Sequence, residues 1–212
     1  MSYCSDITKN RILEFAKKEF LEKGFDMAQV AEIAKAASVT TGAIYRHFKN
    51  KEDLFFALIE EVYQYTLEVA AEVEARSENQ TDMALLRKDN HAVIEAMFSE
   101  VMGFVNYMYE HFDEFKLIFE CSKGSRFENF VEEIVDRYTV KNKKLIDSAA
   151  NKKLEINGMD EFEVRMFTKG YITSLCECII HNIPYDQAGG YVKRLVAFQY
   201  YGWNGLMQLE TF

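Results

Sequence analysis

The sequence predicts an all-α protein of about nine helices, in which a small N-terminal three-helix domain with a helix-turn-helix precedes a larger C-terminal helical domain. Two observations predict this class. The 212 residues include a single proline, Pro184, and only ten glycines, so few residues interrupt a helix. Apolar residues recur every three or four positions through successive segments, which is the period of an amphipathic helix.

The first helix is predicted over residues 6–23, because Ile12, Ala16 and Phe20 recur every four residues and Gly24 is suited to end the helix. A second helix over 28–36 and a tight turn over 37–39 follow.

The third helix is predicted to start near Thr40, whose hydroxyl is suited to cap it. Beyond residue 50, capping residues and Pro184 mark where the later helices begin and end. Ser125 and Asp160 are the predicted helix caps. The remaining helices are predicted over residues 51–76, 91–111, a short segment ending at 123, 125–153, 160–182 and 186–209.

The net charge of −9 is unevenly distributed, since residues 36–51 carry Arg46, His47, Lys49 and Lys51 without any acidic residue. A helix-turn-helix with a basic second element is how many proteins place side chains in the DNA major groove. Local cations still attract phosphate on an acidic protein, because salt screens charges beyond about 10 Å. The segment therefore predicts DNA binding.

The four cysteines, at positions 4, 121, 176 and 178, follow neither a disulfide nor a zinc spacing. The sequence shows no signal peptide and no apolar run near 18 residues. We therefore expect reduced thiols, a cytoplasmic location and neither a metal nor a cofactor.

The segments ILEFAKKEFLEKGF and VAEIAKAASVTTGAIYRHFKNKEDLF, within about residues 7–60, resemble the N-terminal domain of TetR-type bacterial repressors. The resemblance implies a helix-turn-helix DNA-binding domain over residues 1–50. It also implies a ligand-binding and dimerisation domain over residues 51–212.

The predicted recognition helix and the run after it supply side chains for two kinds of DNA contact. Small methyl and hydroxyl groups suit base edges, whereas a phenol, an imidazole and ammonium groups suit phosphates. The predicted DNA-binding residues are Thr40, Thr41, Ala43, Tyr45, Arg46, His47, Lys49 and Lys51. By resemblance, Tyr45 and Lys51 match positions that commonly hold phosphates, and Ser38 stands where glycine is usual. We assign Ile44 and Phe48 to the core.

A homodimer is predicted from a stripe of small and apolar residues on the last two helices. A glycine inside a helix costs about 1 kcal/mol relative to alanine, and close approach of a second helix would compensate for it. The predicted interface residues are Gly170, Ser174, Cys178, Leu195, Phe198, Gly202, Gly205 and Leu209. Packing within one chain is the alternative. Two subunits would read a palindromic double-stranded operator.

Residues 98–138 are rich in aromatic residues and methionine, most of which we assign to the core. The resemblance implies that part of this space is a cavity for a small ligand. Aromatic and methionine walls are adaptable and suit a lipophilic or aromatic molecule. The predicted ligand-binding residues are Phe104, Tyr107, Met108, Phe119, Tyr138, Phe167 and Tyr171.

The resulting prediction is a dimeric, sequence-specific transcriptional repressor that a small ligand releases from DNA by shifting a conformational equilibrium. An enzyme is not predicted, because the four histidines, at 47, 91, 111 and 181, are scattered and no nucleophile–base pair is visible. A regulator controlled by a protein partner, or an activator, without a small-molecule pocket is the alternative.

Overall fold

The computed structural model describes residues 2–75, 90–151 and 159–208, and these residues form nine α-helices and no strand. The helices are α1 (Ser2–Met27), α2 (Val30–Ala36), α3 (Thr41–His47), α4 (Lys51–Ala75), α5 (Asn90–Glu110), α6 (Phe112–Glu120), α7 (Phe130–Asn151), α8 (Glu161–Ile180) and α9 (Tyr185–Gln208). The predicted all-α class and helix number are confirmed for this part of the chain. None of its helices is long and apolar enough to cross a membrane.

The chain forms two compact units. Unit 1 contains Met1–Thr66 and His111–Phe130, and unit 2 contains Leu67–Glu110 and Val131–Phe212, apart from the residues outside the described ranges. The helix-turn-helix, Val30–His47, lies in unit 1 together with α6. The functional division at residue 50 stays a prediction.

Aromatic rings from α1, α4 and the segment after α6 form the core of unit 1. The Phe20 and Phe55 side chains are fully buried, with ring centroids 5.1 Å apart and nearly perpendicular planes. Phe25 and Phe127 pack on Phe55 at 5.3 and 6.3 Å. The amide of Phe25 also donates to the carbonyl oxygen of Cys121 at 2.7 Å. These contacts fix the end of α1 against the segment that follows α6.

Several helix boundaries differ from the sequence prediction, and two of the differences have a visible cause. Gly24 has φ 71° and ψ 166°, which bends the end of α1, but the helix resumes for one short turn beyond it. The segment beginning at Ser125 was expected to be helical, whereas α7 begins at Phe130. The carboxylate of Glu128 instead accepts a hydrogen bond from the amide of Gly124 at 2.9 Å. The residues that were predicted to cap a helix therefore close a turn ahead of it.

In unit 2, α8 and α9 lie side by side in opposite directions. The Tyr191 hydroxyl donates to the Ser174 carbonyl at 2.9 Å, and the Phe167 and Trp203 rings are 5.8 Å apart. The start of α8 is fixed by Asp160, which accepts from the Glu163 amide in a reciprocal capping box. The predicted cap at Asp160 is therefore confirmed.

An ion cluster joins α7 to α8. The carboxylate of Glu132 accepts from Arg165 at 2.6 Å and from Lys169 at 2.5 Å, and Asp136 accepts from Arg165 at 3.1 Å. These hydrogen bonds hold the pKa of Glu132 below its ordinary value, with Lys169 the larger cause and Arg165 the second.

Candidate nucleic-acid interface

The turn between α2 and α3 is closed by backbone hydrogen bonds and one left-handed residue. The amides of Ala37 and Val39 donate to the carbonyls of Ile33 and Ala34, both at 2.9 Å. Ser38 between them has φ 53°. Glycine adopts this conformation freely, whereas a residue with a Cβ is strained by about 1–2 kcal/mol. The departure from glycine at this position therefore carries a cost in stability.

Thr40 starts the recognition helix as predicted. Its backbone is extended, and its Oγ1 accepts a hydrogen bond from the amide of Ala43 at 3.1 Å. The hydroxyl hydrogen is left to donate to another group. Ile44 and Phe48 are 1% and 5% exposed, which confirms their assignment to the core. One face of α3 is thereby fixed inward, and the opposite face is turned to solvent.

The solvent face of α3 and the residues after it carry most of the predicted DNA-binding side chains. Thr41, Tyr45, Arg46 and Lys49 are exposed, Tyr45 at 51%, and Ala43 and His47 are half-buried. Because the segment 36–51 contains no acidic residue, the exposed cations among these side chains are suited to a polyanion.

The backbone after α3 is held by a second capping arrangement. The Asn50 side chain accepts from the amide of Asp53 at 2.8 Å, and the Asp53 carboxylate accepts from the amide of Lys49 at 3.2 Å. The first of these bonds satisfies one free amide in the first turn of α4, and the second fixes the backbone at Lys49, ahead of the helix.

Lys51 differs from the other cations of this region. Its Nζ donates to the carbonyl oxygens of Phe25 at 2.6 Å, Asp26 at 3.3 Å and Ala28 at 3.2 Å. The ammonium also lies 4.4 Å from the centre of the Phe25 ring. Its predicted phosphate contact stays a prediction, and in the structure this group is engaged by the protein itself.

The predicted dimer residues separate into two groups. A methyl group added at Gly170, Gly202 or Gly205 would meet no atom beyond its own helix within 4 Å, so packing within the chain does not require glycine at these positions. Phe198 is 75% exposed. Cys178 is fully buried within the chain, so its side chain offers no exposed surface, and its place at an interface stays a prediction.

The other predicted dimer residues are less informative, since Ser174 and Leu195 are half-buried and Leu209 lies outside the described residues. Sequence reasoning missed further exposed apolar side chains beside the glycines. We name the whole set the α8–α9 stripe: Phe162, Met166, Gly170, Phe198, Tyr201, Gly202 and Gly205. The spacing of four residues that relates 162, 166 and 170 was visible in the sequence.

The predicted ligand-binding residues do not all lie in one unit. Phe119 belongs to unit 1, where its ring packs 5.5 Å from that of Phe115, and the other six lie in unit 2. Phe167 is 41% exposed against Trp203, which places it at the surface rather than in an enclosed wall.

The other five predicted ligand-binding residues lie within unit 2. Met108 is buried, and Phe104, Tyr107, Tyr138 and Tyr171 are half-buried. Burial raises the pKa of the Tyr171 hydroxyl, and the nearby Tyr138 and Glu100 raise it further. Tyr171 therefore stays neutral and able to donate a hydrogen bond. Within the described ranges, histidine, cysteine and acidic side chains form no group suited to hold a metal.

Comparison with known proteins agrees with this geometry. Residues 12–58 match the model of bacterial regulatory proteins of the tetR family. The chain is 29% identical over 131 residues to the HTH-type transcriptional regulator TtgR of Pseudomonas putida, a match that covers 55% of this chain and only 61% of TtgR. It is 29% identical over 175 residues to the HTH-type transcriptional regulator AcrR of Shigella flexneri, covering 80% of this chain and 77% of AcrR.

A solved structure shares the fold over most of the chain. NalD, described as the secondary repressor of the MexAB-OprM multidrug efflux pump in Pseudomonas aeruginosa, superposes with a TM-score of 0.57. The superposition covers 94% of this chain and 97% of NalD at 19% identity. At that identity the likeness establishes the fold alone.

Proposed function

Because this chain belongs to the TetR family of bacterial regulatory proteins, we propose that it is a dimeric, sequence-specific DNA-binding transcriptional repressor released by a small lipophilic or aromatic ligand. One observation carries the proposal: α3 is capped by Thr40 and anchored by Ile44, while its solvent face carries hydroxyl, phenol and cationic groups.

The exposed side chains divide by chemistry. Thr41 and Ala43, in the first turn of α3, offer a hydroxyl and a methyl group to base edges, and Arg46 offers a guanidinium to guanine or to phosphate. Thr40 adds the donor that its cap leaves unused. Tyr45, His47 and Lys49 offer a phenol, an imidazole and an ammonium group to the phosphate backbone, whose contacts would fix the register and supply the salt-dependent part of the affinity.

We propose that a second copy of the chain covers the α8–α9 stripe. Phe162 and Phe198 are 69% and 75% exposed, and large apolar side chains with such exposure on neighbouring helices are typical of an interface. Gly170, Gly202 and Gly205 leave room beside them for a partner helix. A two-fold pair then presents two copies of α3 to the half-sites of a palindromic operator.

The ligand would lie in unit 2, near Phe104, Tyr107, Met108, Tyr138 and Tyr171. Rings and a methionine supply an apolar wall, and the neutral Tyr171 hydroxyl supplies a donor. Release requires that the ligand bind the DNA-free conformer more tightly; a 100-fold loss of DNA affinity corresponds to about 2.7 kcal/mol of coupling. Repression follows from occupation of the operator, and the ligand reverses it.

Selection from a random-sequence duplex library tests the DNA-binding proposal with the full chain. We expect an inverted repeat to be enriched and Lys49→Ala to bind it more weakly. The matched control is Lys123→Ala, which removes the same charge from an exposed position of unit 1 outside the helix-turn-helix. Failure to enrich any sequence, or equal losses in both variants, would refute the proposal.

The selected duplex then serves to test release. A panel of lipophilic and aromatic compounds is titrated into the protein–DNA complex, and dissociation is followed by fluorescence anisotropy. We expect at least one compound to dissociate the wild-type complex, and Tyr171→Phe to shift its midpoint because the variant lacks the donor. If no compound acts, control by a ligand of this class is wrong.

A further inference from the structure

The first turn of α4 carries an ammonium group that faces the protein rather than solvent. The three acceptors of Lys51 Nζ are the carbonyl oxygens of Phe25, Asp26 and Ala28, at 2.6, 3.3 and 3.2 Å. An ammonium has three donors and no acceptor, so these carbonyls use its full hydrogen-bonding capacity. A phosphate could replace one of them only by breaking a bond within the protein.

These carbonyls lie where α1 ends and the chain enters α2. The last carbonyls of a helix have no partner within the helix, and together they form its negative end. Lys51 therefore caps the end of α1 from a different helix. The Phe25 ring, 6% exposed and 4.4 Å from Nζ, adds a cation–π contact.

The same contact closes a loop around the helix-turn-helix. The capped carbonyls directly precede α2, and Lys51 follows α3 by a short connection, so one ammonium group joins the two ends of the segment 29–50. The N-cap residue of α2, Gln29, makes no capping hydrogen bond through its side chain. The carbonyl contacts of Lys51 thus supply a restraint at the start of α2 that the local sequence does not.

We propose that Lys51 is a positioning residue, which fixes α2 and α3 relative to α4 so that α3 can read a base sequence, and that it is not a phosphate contact. This inference rests on the proposed function, since the arrangement matters for recognition only if α3 binds DNA. Lys49, two residues earlier and exposed, is the matched cation left for the phosphate backbone.

Three variants of the full chain separate the two roles. Lys51→Met keeps the length and the packing on Phe25 but removes the donors. Lys51→Arg keeps the charge, but its planar fork does not direct three donors to these carbonyls. Lys49→Met removes the exposed cation. Affinity for the selected duplex and for an unrelated duplex is measured as a function of salt concentration, and amide hydrogen exchange of α2 and α3 is measured without DNA.

For Lys49→Met we expect the slope of log affinity against log salt to fall by about 0.9 for each lost phosphate contact, about 1.8 for a dimer, with unchanged hydrogen exchange. For Lys51→Met we expect an unchanged slope, a loss of about 10-fold or more in the preference for the selected duplex, and faster exchange of the α2–α3 amides. Lys51→Arg should lose part of that preference, at least about 3-fold.

Other outcomes overturn the inference. A slope reduced in Lys51→Met as in Lys49→Met, or a Lys51→Arg variant with wild-type affinity, would identify Lys51 as a phosphate contact. A folded Lys51→Met variant with wild-type preference would show that the contact serves stability only. If the wild type prefers no duplex, the proposed function fails. The exchange measurement then still decides whether the contact restrains α2 and α3.

Discussion

Replacing Phe198 with serine should dissociate the proposed dimer. The side chain is 75% exposed in the single chain, at the start of the α9 part of the α8–α9 stripe. Its exposure leaves little packing within the chain to lose, so the variant should fold. Serine removes almost all of the apolar surface that a partner would cover.

The size of the effect follows from burial. Full burial of a phenylalanine contributes about 1.5–3 kcal/mol, and three-quarters of that remains available at this position, about 1.1–2.3 kcal/mol. A two-fold interface contains the residue twice, so the loss is about 2–4.5 kcal/mol. At about 1.4 kcal/mol per tenfold, the dissociation constant should rise between about 30-fold and about 1,600-fold.

Sedimentation equilibrium over a range of protein concentrations measures this constant directly. The control is Val140→Ser on α7, which removes an apolar side chain that is 53% exposed but lies outside the stripe. We expect the control to remain a dimer and to keep the wild-type affinity for the selected duplex. A Phe198→Ser variant that remains fully dimeric at nanomolar concentration would refute the assignment of this face.

Three further predictions concern stability. Ser38→Gly should relieve about 1–2 kcal/mol of left-handed strain and cost about 0.5–1 kcal/mol of chain entropy. The net gain of about 0.75 kcal/mol should raise the calorimetric midpoint by about 1.5–3 °C, and a lowered midpoint would show that Ser38 is not strained. Thr40→Ala should lower the free energy of unfolding by about 1 kcal/mol in a denaturant titration, whereas Thr40→Ser should restore most of it. Lys169 and Arg165 lower the pKa of Glu132 in the folded state. The ion pairs of Glu132 therefore stabilise the fold above pH 4.5, the ordinary pKa of this group, and the stabilisation is lost as the pH falls through the lowered pKa. Glu132→Gln should therefore be less stable at pH 7 and nearly equal to the wild type in strong acid; an equal deficit at both pH values would show that the ion pairs are not the cause.

The helix-turn-helix could be predicted because its signals are local. A threonine that caps, apolar residues one helical turn apart and a short turn between helices all lie within a few positions of the features they produce. The positions of Ile44, Phe48 and Thr40 in the structure follow from such signals. The same reasoning gave the number of helices, since each boundary depends on a neighbouring cap or breaker.

The environment of Lys51 could not be predicted in this way. The carbonyls that it contacts are 23 to 26 positions away in sequence, and no local pattern distinguishes an inward lysine from an outward one. The burial of Cys178 could not be predicted for a related reason. Cys178 continues a spacing of four from Gly170 and Ser174, but apolar residues flank it at 175, 176 and 179, so the spacing alone does not decide which face is buried.

The extent of unit 1 determines which pieces of this molecule can be separated or exchanged. Phe55 packs on Phe127, and the amide of Phe25 donates to the carbonyl oxygen of Cys121. The hydrophobic core around α1 therefore includes residues that lie much later in the sequence. A fragment that stops at residue 66 would leave that core open to water, and a chimera that receives only the first 50 residues would inherit an incomplete core. The transferable module is therefore discontinuous, and recombination between paralogues would have to exchange two stretches of coding sequence together.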